Sequence, residues 1–163
     1  MKDDIQKAYF AGGCFWGIEY HFQDLEGVIS TRVGYMGGST EKPTYDEVCA
    51  GRTGHVETLE AVFDADKVSF EKLAKLFFEI HDSTQKNRQG PDIGEQYRSV
   101  IFYTDKEQRE IAEKLIGILK GKGINAVTEL VPAEIFYAAE DYHQKYYAKT
   151  GKSPYCHIRK EIF

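Results

Sequence analysis

The spacing of apolar residues along the chain predicts helices and strands in alternation. Ser69–His81 is expected to form an amphipathic helix with Ser69 as its N-cap, because its apolar residues recur at helical spacing, at positions 70, 73, 76, 77 and 80. A second helix is expected behind Thr104-Asp105-Lys106-Glu107, a sequence that fits a capping box. Its apolar stripe consists of residues 111, 115, 118 and 119.

Other segments favour extended structure. His55–Asp64 alternates in polarity, which predicts a strand whose odd positions form the more apolar face, with Glu57 among them. Shorter runs rich in apolar residues predict the remaining strands, which are Lys7–Ala11, Val28–Tyr35, Tyr97–Tyr103, 126–131 and 134–137.

The segments between these elements complete the pattern. Gly12-Gly13 indicates a tight turn after the first strand, and residues 14–24 are expected to form a helix directly behind it. Tyr45–Ala50 is expected to form one or two helical turns, and Ala138–Lys149 a helix. Residues 82–96 are polar and contain glycine, which predicts a long loop of the kind that is often functional.

Strands mixed with crossover helices predict an α/β or α+β sandwich, in which helices pack on a mixed sheet. The tail from Thr150 contains Gly and Pro and is expected to be irregular. The length of 163 residues fits one domain, and no repeat, low-complexity segment or linker divides it. Residues 1–163 are therefore expected to form a single domain, with a strand order that these patterns leave open.

Composition and charge exclude several function classes. The net charge of -5 argues against binding to nucleic acids or anionic membranes, because both need a basic face. No run approaches the roughly 18 apolar residues of a membrane span. The first four residues, MKDD, do not resemble a signal peptide, so the expected location is the cytoplasm.

The three cysteines are the first candidates for chemistry. Cys14, Cys49 and Cys156 are far apart and form no C-x-x-C pair, which argues against a zinc site. An odd number of cysteines in a chain expected to be cytoplasmic argues against a disulfide framework. The thiols are therefore either inert and buried or reactive.

Cys14 is the strongest candidate for a reactive thiol. The glycine turn places it at the N-terminus of the predicted helix, where free backbone N–H groups and the helix dipole favour a thiolate. Phe15 and Trp16 follow it and are candidates for the wall of an apolar pocket. Core positions for both aromatic residues remain the alternative interpretation.

The sequence Gly12-Gly13-Cys14-Phe15-Trp16-Gly17 resembles the active-site motif of the A-type peptide methionine sulfoxide reductases. Three further segments resemble the same family in the same order, so the resemblance spans almost the whole chain. They are PTYDEVCAGRTGHVE (43–57), HDSTQKNRQGPDIGEQYRS (81–99) and EDYHQKYY (140–147).

The resemblance implies a ferredoxin-like plait core and an oxidoreductase that reduces the S epimer of methionine sulfoxide, free or in peptides, for protein repair. Cys14 would attack the sulfoxide sulfur and become a sulfenic acid, which a resolving cysteine converts to a disulfide. Thioredoxin, or dithiothreitol in vitro, would reduce that disulfide. The resemblance implies no bound cofactor, and we expect a monomer.

The resemblance also implies supporting roles for individual residues of this chain. Glu57 is expected to be a general acid, because a carboxyl on an apolar face has a raised pKa and stays protonated; a solvent-facing edge glutamate is the alternative. Tyr45 and Tyr97 match tyrosines whose hydroxyls point at the sulfoxide oxygen in the family, although both also suit the core. Asp92 matches an aspartate near the pocket. The apolar wall for the substrate methyl would be Phe15 and Trp16.

The resolving cysteine is a choice between two thiols. Cys49 is expected to be a small buried residue without a redox role. Cys156 lies in a Tyr-x-Cys-His-like tail, which resembles family members with one resolving cysteine, and a mobile tail would let it reach Cys14. Ser83 and Glu95 depart from the usual pattern of the 81–99 segment, and we expect them to alter loop rigidity rather than chemistry.

Two other function classes remain open at this point. A cysteine hydrolase or thiol peroxidase would use the same nucleophile, and a Cys14–His55 pair is conceivable for the former. A non-catalytic module would bind methionine-rich or oxidised peptides and retain that binding after Cys14→Ser. His55 and His143 lie in the segments that resemble the family and are candidates for structural hydrogen bonds. No special role is expected for His21, His81 and His157.

Overall fold

The computed structural model describes residues 4–152, 154 and 157–163. Its strands are β1 (Ile5–Ala11), β2 (Val28–Met36), β3 (Val56–Asp64), β4 (Arg88–Gln89), β5 (Asp92–Ile93), β6 (Val100–Tyr103), β7 (Glu129–Pro132) and β8 (Tyr137–Ala138). Its α-helices are α1 (Phe15–Phe22), α2 (Tyr45–Cys49), α3 (Phe70–Ile80), α4 (Lys106–Gly121) and α5 (Tyr146–Thr150). Short 3-10 helices span Glu95–Tyr97 and Asp141–His143. None of the helices in the described part of the chain combines the length and apolarity that crossing a membrane requires.

Six strands form one mixed sheet in the order β7-β6-β1-β3-β2-β8. Neighbouring strands are antiparallel except β6 and β7, which are parallel. Within the described ranges, β4 and β5 pair only with each other, in the segment expected to be a loop. The predicted mixed sheet with helices packed on it is confirmed.

The four central strands form a ferredoxin-like plait, which confirms the expected core. α1 connects β1 to β2, and β3 fills the space between those two strands. α3 connects β3 to β6 in the same way, with β1 between them. Two split β-α-β units therefore interlock, as this fold requires.

One face of the sheet packs against the helices. Phe10 of β1 is fully buried and stacks near Phe22 of α1 and Phe77 of α3, with ring centroids 5.4 and 5.1 Å away. Ser69 caps α3 as predicted, since its hydroxyl accepts a hydrogen bond from the Lys72 amide at 3.1 Å. The helical spacing therefore identified both the element and the face that it buries.

The odd positions of β3 form its more apolar face, as predicted, since Leu59, Ala61 and Phe63 lie in the main core. The other face is not open to solvent. Both faces are buried, including Val56, Thr58 and Glu60 at even positions. Phe136 and its neighbours cover the second face, where a smaller apolar cluster forms. Glu60 is tolerated there because Tyr9 and Arg32 donate hydrogen bonds to its carboxylate at 3.0 and 2.7 Å.

Three other element predictions need correction. Tyr97 lies in a 3-10 helix rather than in β6. Asp105, not Thr104, caps α4 by accepting from the Gln108 amide at 2.8 Å, and Ile118 on that helix is exposed. The weak strands expected at 126–131 and 134–137 are shorter and shifted, as β7 and β8.

Residues 138–149 do not form the single helix that was expected. The segment contains the end of β8, a 3-10 turn and the start of α5. Lys145 interrupts it with a φ of 54°, a left-handed conformation that ends helical propagation. Its backbone amide donates to the buried carboxylate of Glu19 at 2.6 Å, which holds this conformation in place.

Candidate active site

Cys14 lies at the junction between β1 and α1. Gly13 has a φ of 91°, which lets the chain turn sharply after β1. Cys14 then occupies the N-cap position of α1, and its carbonyl accepts the amide of Gly17 at 3.2 Å. Only 7% of Cys14 is exposed, so the thiol lies at a partly shielded helix N-terminus. This is the position that the glycine turn predicted.

Glu57 of β3 faces this junction and is 1% exposed. Its Oε1 accepts the backbone amide of Phe15, the residue after Cys14, at 3.2 Å. Burial raises the pKa of Glu57 well above its usual range; the charge of Cys14 and that of Asp92 raise it further, against the opposing bond from the Phe15 amide. Oε2 is buried and has no hydrogen-bond partner among the described residues. A protonated Glu57 therefore has a donor available beside Cys14.

Tyr45 and Tyr97 are half-buried near the same carboxyl group. Burial raises the pKa of both phenols, and the charge of Glu57 adds to the shift in each. Tyr45 begins α2, which Thr44 and Glu47 fix through a capping box. Because both hydroxyls stay protonated, they remain hydrogen-bond donors at neutral pH.

Asp92 reaches the site from the small β4–β5 ladder. Its charge is one of those that raise the pKa of Glu57. Gln89, paired with Asp92 across the ladder, holds the preceding loop in place by bonding the backbone amide and carbonyl of Asp82 at 2.7 and 2.9 Å. The 82–96 segment, which also contains buried Ser83 and exposed Glu95, thus supports one of the predicted site residues.

Phe15 and Trp16 differ in their surroundings. Phe15 is 1% exposed and packs between the rings of Tyr35 and His143, with centroids 5.8 and 5.3 Å away. Trp16 is only partly buried and stacks on Tyr146, with centroids 3.7 Å apart and planes 12° from parallel. Phe15 is therefore also a core residue, whereas the indole lies at the surface of the site.

The 140–146 segment supplies side chains that the sequence did not single out as site residues. Glu140 accepts the Tyr35 hydroxyl at 3.0 Å and the Tyr45 amide at 3.3 Å, which orients α2. His143 Nδ1 accepts the Trp16 indole N–H at 3.0 Å, and its ring lies 4.5 Å from that of Tyr45. Both residues lie in the segment 140–147 that resembles the family, and this was the one sequence signal that could have identified them.

His55 has no ring nitrogen free for Cys14. Its Nδ1 accepts the Gly38 amide at 3.0 Å, so its Nε2 carries the proton and donates to the Thr40 carbonyl at 2.7 Å. Both bonds hold the loop after β2. The conceivable Cys14–His55 nucleophile pair is therefore excluded, and the expected structural role of His55 agrees with the geometry.

The expectation that Cys49 is buried is wrong. Cys49 is exposed at the end of α2, because the five-residue helix directs Val48 rather than Cys49 into the core. Loss of solvation raises the pKa of its thiol, although a hydrogen bond with the Tyr45 hydroxyl opposes the shift. A thiol with a raised pKa is a poor nucleophile at neutral pH.

Cys156, the predicted resolving residue, lies outside the described residues. The next residue, His157, was expected to have no special role, yet it is 1% exposed and its Nε2 bonds the Gly12 carbonyl at 2.6 Å. The described residues after Thr150 are irregular, as predicted, although Thr150 itself still belongs to α5. The last residues of the chain are held against the domain. In the described ranges, no three His, Cys, Asp or Glu side chains come together as a metal site would require.

Known proteins resemble this chain both in sequence and in fold. A family model described as peptide methionine sulfoxide reductase matches residues 6–163. The peptide methionine sulfoxide reductase MsrA of Nautilia profundicola is 53% identical over 152 residues, which cover 93% of this chain and 88% of the relative. Methionine sulfoxide reductase A of Corynebacterium diphtheriae is 40% identical with a TM-score of 0.83, over 95% of this chain and 79% of that one. Reduced Mxr1 from Saccharomyces cerevisiae is 32% identical with a TM-score of 0.89, over 98% and 96%.

Proposed function

The chain belongs to the peptide methionine sulfoxide reductase family, and from this premise we propose that it reduces the S epimer of methionine sulfoxide with Cys14 as nucleophile. The observation that carries the proposal is the buried Glu57 carboxyl beside Cys14. One of its oxygens is bonded to the Phe15 amide, and the other has no hydrogen-bond partner in the part of the chain that the structure describes. An acid in this place is what removal of a sulfoxide oxygen requires.

The first step transfers oxygen from the substrate to Cys14. The Cys14 thiolate attacks the sulfoxide sulfur while Glu57 donates a proton to the oxygen, so that a bond forms between the two sulfurs. The oxygen then passes to Cys14 as the bond between the sulfurs and the substrate S–O bond break. The substrate leaves as methionine, and Cys14 becomes a sulfenic acid, so that the enzyme sulfur is oxidised by two electrons and the substrate sulfur is reduced by two. The raised pKa of Glu57 supports this role, since an ionised carboxylate could not donate.

Tyr45 and Tyr97 stabilise the oxygen as negative charge develops on it. Their hydroxyls remain protonated because burial and Glu57 raise their pKa values. Donors that are already oriented cost no reorganisation during the reaction. Asp92 tunes the site through its charge on Glu57, which helps to keep the acid protonated.

Trp16 and Phe15 receive the apolar part of the substrate. Trp16 is fixed from two directions, by stacking on Tyr146 and by its bond to His143. An indole held in this way offers a flat apolar surface with little entropy left to lose on binding. The methyl group on the sulfoxide sulfur would lie against this surface.

The second step restores the enzyme. Cys156 attacks the Cys14 sulfenic acid, which forms a disulfide and releases water, and a thioredoxin dithiol then reduces the disulfide. Dithiothreitol replaces thioredoxin in vitro. The structure of Mxr1 in complex with Trx2, which is 22% identical to this chain with a TM-score of 0.64, motivates the choice of a protein reductant.

The same proposal includes the setting of the reaction. One sheet takes strands from β1 to β8 at residue 138, which supports a single catalytic domain. We propose that this domain acts as a monomer. A mechanism that returns Cys14 to a free thiol suits a reducing compartment, and hence the cytoplasm.

The proposal is tested by steady-state turnover of each epimer of a methionine sulfoxide peptide with dithiothreitol and then with thioredoxin. Wild type should reduce the S epimer alone, and Cys14→Ser should be inactive. Cys49→Ser is the matched control and should retain activity within about twofold. Reduction of neither epimer by folded, reduced wild type would refute the proposal, and peptide binding that survives Cys14→Ser would then favour a binding module.

A further inference from the structure

His157 fills a slot at the turn that carries Cys14. A Cβ atom added at Gly13 would lie 3.1 Å from Nε2 of the His157 ring. A Cβ added at Gly17 would collide with Nδ1 and would lie 2.8 Å from Cγ. The ring therefore occupies space left mainly by the missing side chain of Gly17; at Gly13 an added Cβ would meet the Gln89 side chain first, at 2.7 Å.

Hydrogen bonds fix His157 in this slot. The Gly12 carbonyl can only accept, so Nε2 of His157 carries the proton and donates to it at 2.6 Å. Burial lowers the pKa of His157, which favours the neutral ring. His21 lies one turn after Gly17 on α1, and its Nε2 donates to the His157 carbonyl at 2.8 Å. Ring and backbone of His157 are thus both attached to the Cys14 turn and its helix.

The residues after His157 are held by α3. The carboxylate of Glu79, a residue 5% exposed, accepts from Arg159 Nη2 at 3.1 Å and from the Ile162 amide at 2.9 Å. The Glu79 carbonyl accepts the Lys160 amide at 2.8 Å. The end of the chain is therefore anchored beyond His157 as well, so His157 is not the tip of a free tail.

We propose that His157 is a positioning residue for the disulfide step, holding the tail at α1 so that the adjacent thiol of Cys156 meets Cys14. The inference rests on the proposed function, in which Cys156 resolves the sulfenic acid. Consecutive Cα atoms are about 3.8 Å apart, and a disulfide needs Cα atoms about 4.4 to 6.8 Å apart. Because His157 is held at the turn that carries Cys14, the peptide bond to its neighbour limits how far that neighbour can move from the turn.

The role explains why Gly17 is a glycine inside a helix, where alanine would usually be more stable. It also predicts a separation of the two chemical steps. Attack on the sulfoxide uses Cys14 and Glu57 and does not need the slot. Disulfide formation, which releases water from the sulfenic acid, uses the thiol of Cys156. Its rate depends on how often that thiol is positioned to attack Cys14.

The test uses the full chain in a single turnover with excess S-sulfoxide and no reductant. Methionine release reports the first step, and the fall in dimedone-trappable sulfenic acid on Cys14, measured by mass, reports disulfide formation. His157→Ala and Gly17→Ala should release one methionine per chain at a rate within about twofold of wild type, and should form the disulfide about tenfold more slowly. His157→Gln, which keeps a donor for Gly12, should recover part of the second rate.

Gly117→Ala is the matched control, because Gly117 is also helical and an added Cβ would have no atom of another described element within 4 Å. It should leave both rates unchanged. Wild-type disulfide formation in both His157→Ala and Gly17→Ala would overturn the proposal, as would an equal fall in both steps in folded variants, which indicates a purely structural role. Absence of methionine release from wild type would instead refute the proposed function itself.

Discussion

The amide of Phe15 donates to the Glu57 carboxyl at 3.2 Å, across 42 positions of sequence. This bond joins the first turn of α1 to the middle of the sheet and orients the carboxyl towards Cys14. It lowers the pKa of Glu57, yet burial and the Cys14 charge outweigh it, so the net shift is upward. The same contact therefore fixes the geometry of the acid without removing its proton.

Glu57→Gln should lower kcat at neutral pH by about 100-fold, the contribution typical of a positioned general acid. The wild-type pH profile should fall as Glu57 ionises at high pH, and the variant should lack that limb. The measurement is kcat against pH for methionine release. Glu60→Gln is the control, since Glu60 is buried on the opposite face of the sheet; an unchanged profile in Glu57→Gln would remove Glu57 from the mechanism.

Glu57→Gln should also change stability, in the opposite direction to activity. The folded pKa of Glu57 is raised above its ordinary value of 4.5, so the folded state holds more protons and the wild type loses unfolding free energy as pH rises from there. The variant lacks this loss, which is at most about 1.4 kcal/mol per pH unit. Urea unfolding at pH 4.5 and 7.5 should show that the free energy of unfolding of the variant, relative to wild type, is higher at pH 7.5. The same difference between variant and wild type at both pH values would contradict the burial argument.

Tyr45→Phe and Tyr97→Phe should each lower kcat by about 10- to 100-fold, because a hydrogen bond to a charged group contributes about 1.5 to 3 kcal/mol. KM should change little if the bonds strengthen only as charge develops. Tyr9→Phe is the matched control, since its hydroxyl donates to Glu60 away from the site. Steady-state kinetics with one S-sulfoxide peptide measures both constants. A rise in KM with an unchanged kcat would indicate that the hydroxyls bind the substrate in its ground state instead.

Tyr146→Ala should raise KM for the peptide about 2- to 10-fold and leave kcat within about twofold. The stacked ring 3.7 Å from Trp16 is removed, and such pairs contribute about 0.5 to 1.5 kcal/mol. Trp16 is the single tryptophan, so its emission should shift towards that of an exposed indole. Tyr103→Ala on β6 serves as the control. A red shift without a change in KM would separate Trp16 from substrate binding.

Buried histidines should make the protein sensitive to acid. Burial lowers the pKa of His81 to about 4 from 6.5, so the unfolded state binds the extra proton between these values and unfolding free energy rises with pH across that window. His81 should contribute on the order of 3 kcal/mol to this rise. His81→Gln should flatten the urea-derived stability curve between pH 4 and 6.5, and an unchanged slope would contradict the assignment.

Local sequence patterns correctly predicted the elements whose conformation is determined by contacts within the same helix or strand. α3 followed from its helical spacing and the Ser69 cap. The 138–149 segment failed because its conformation is set by distant partners. Gln144 bonds both the amide and the carbonyl of Val33 at 2.8 Å, and Lys145 donates to Glu19. Such bonds override helix propensity and are invisible in the segment itself.

The positions of the candidate site residues were predictable where the chain resembles its family, and not where tertiary packing alone decides. Cys14 followed from a glycine turn, and Glu57 from its place on β3. Cys49 was misplaced because α2 is too short for its pattern to define a buried face. His157 was missed because the slot that receives it is left mainly by Gly17, 140 residues earlier, which carries no side chain to mark it.

The central claim, attack by Cys14 with resolution by Cys156, is tested most directly by one turnover of Cys156→Ser. The variant is mixed with excess S-sulfoxide peptide and dimedone, without reductant. The account predicts one methionine per chain and one dimedone adduct, located on Cys14. No methionine, or an adduct on Cys49 with Cys14 unmodified, would contradict it.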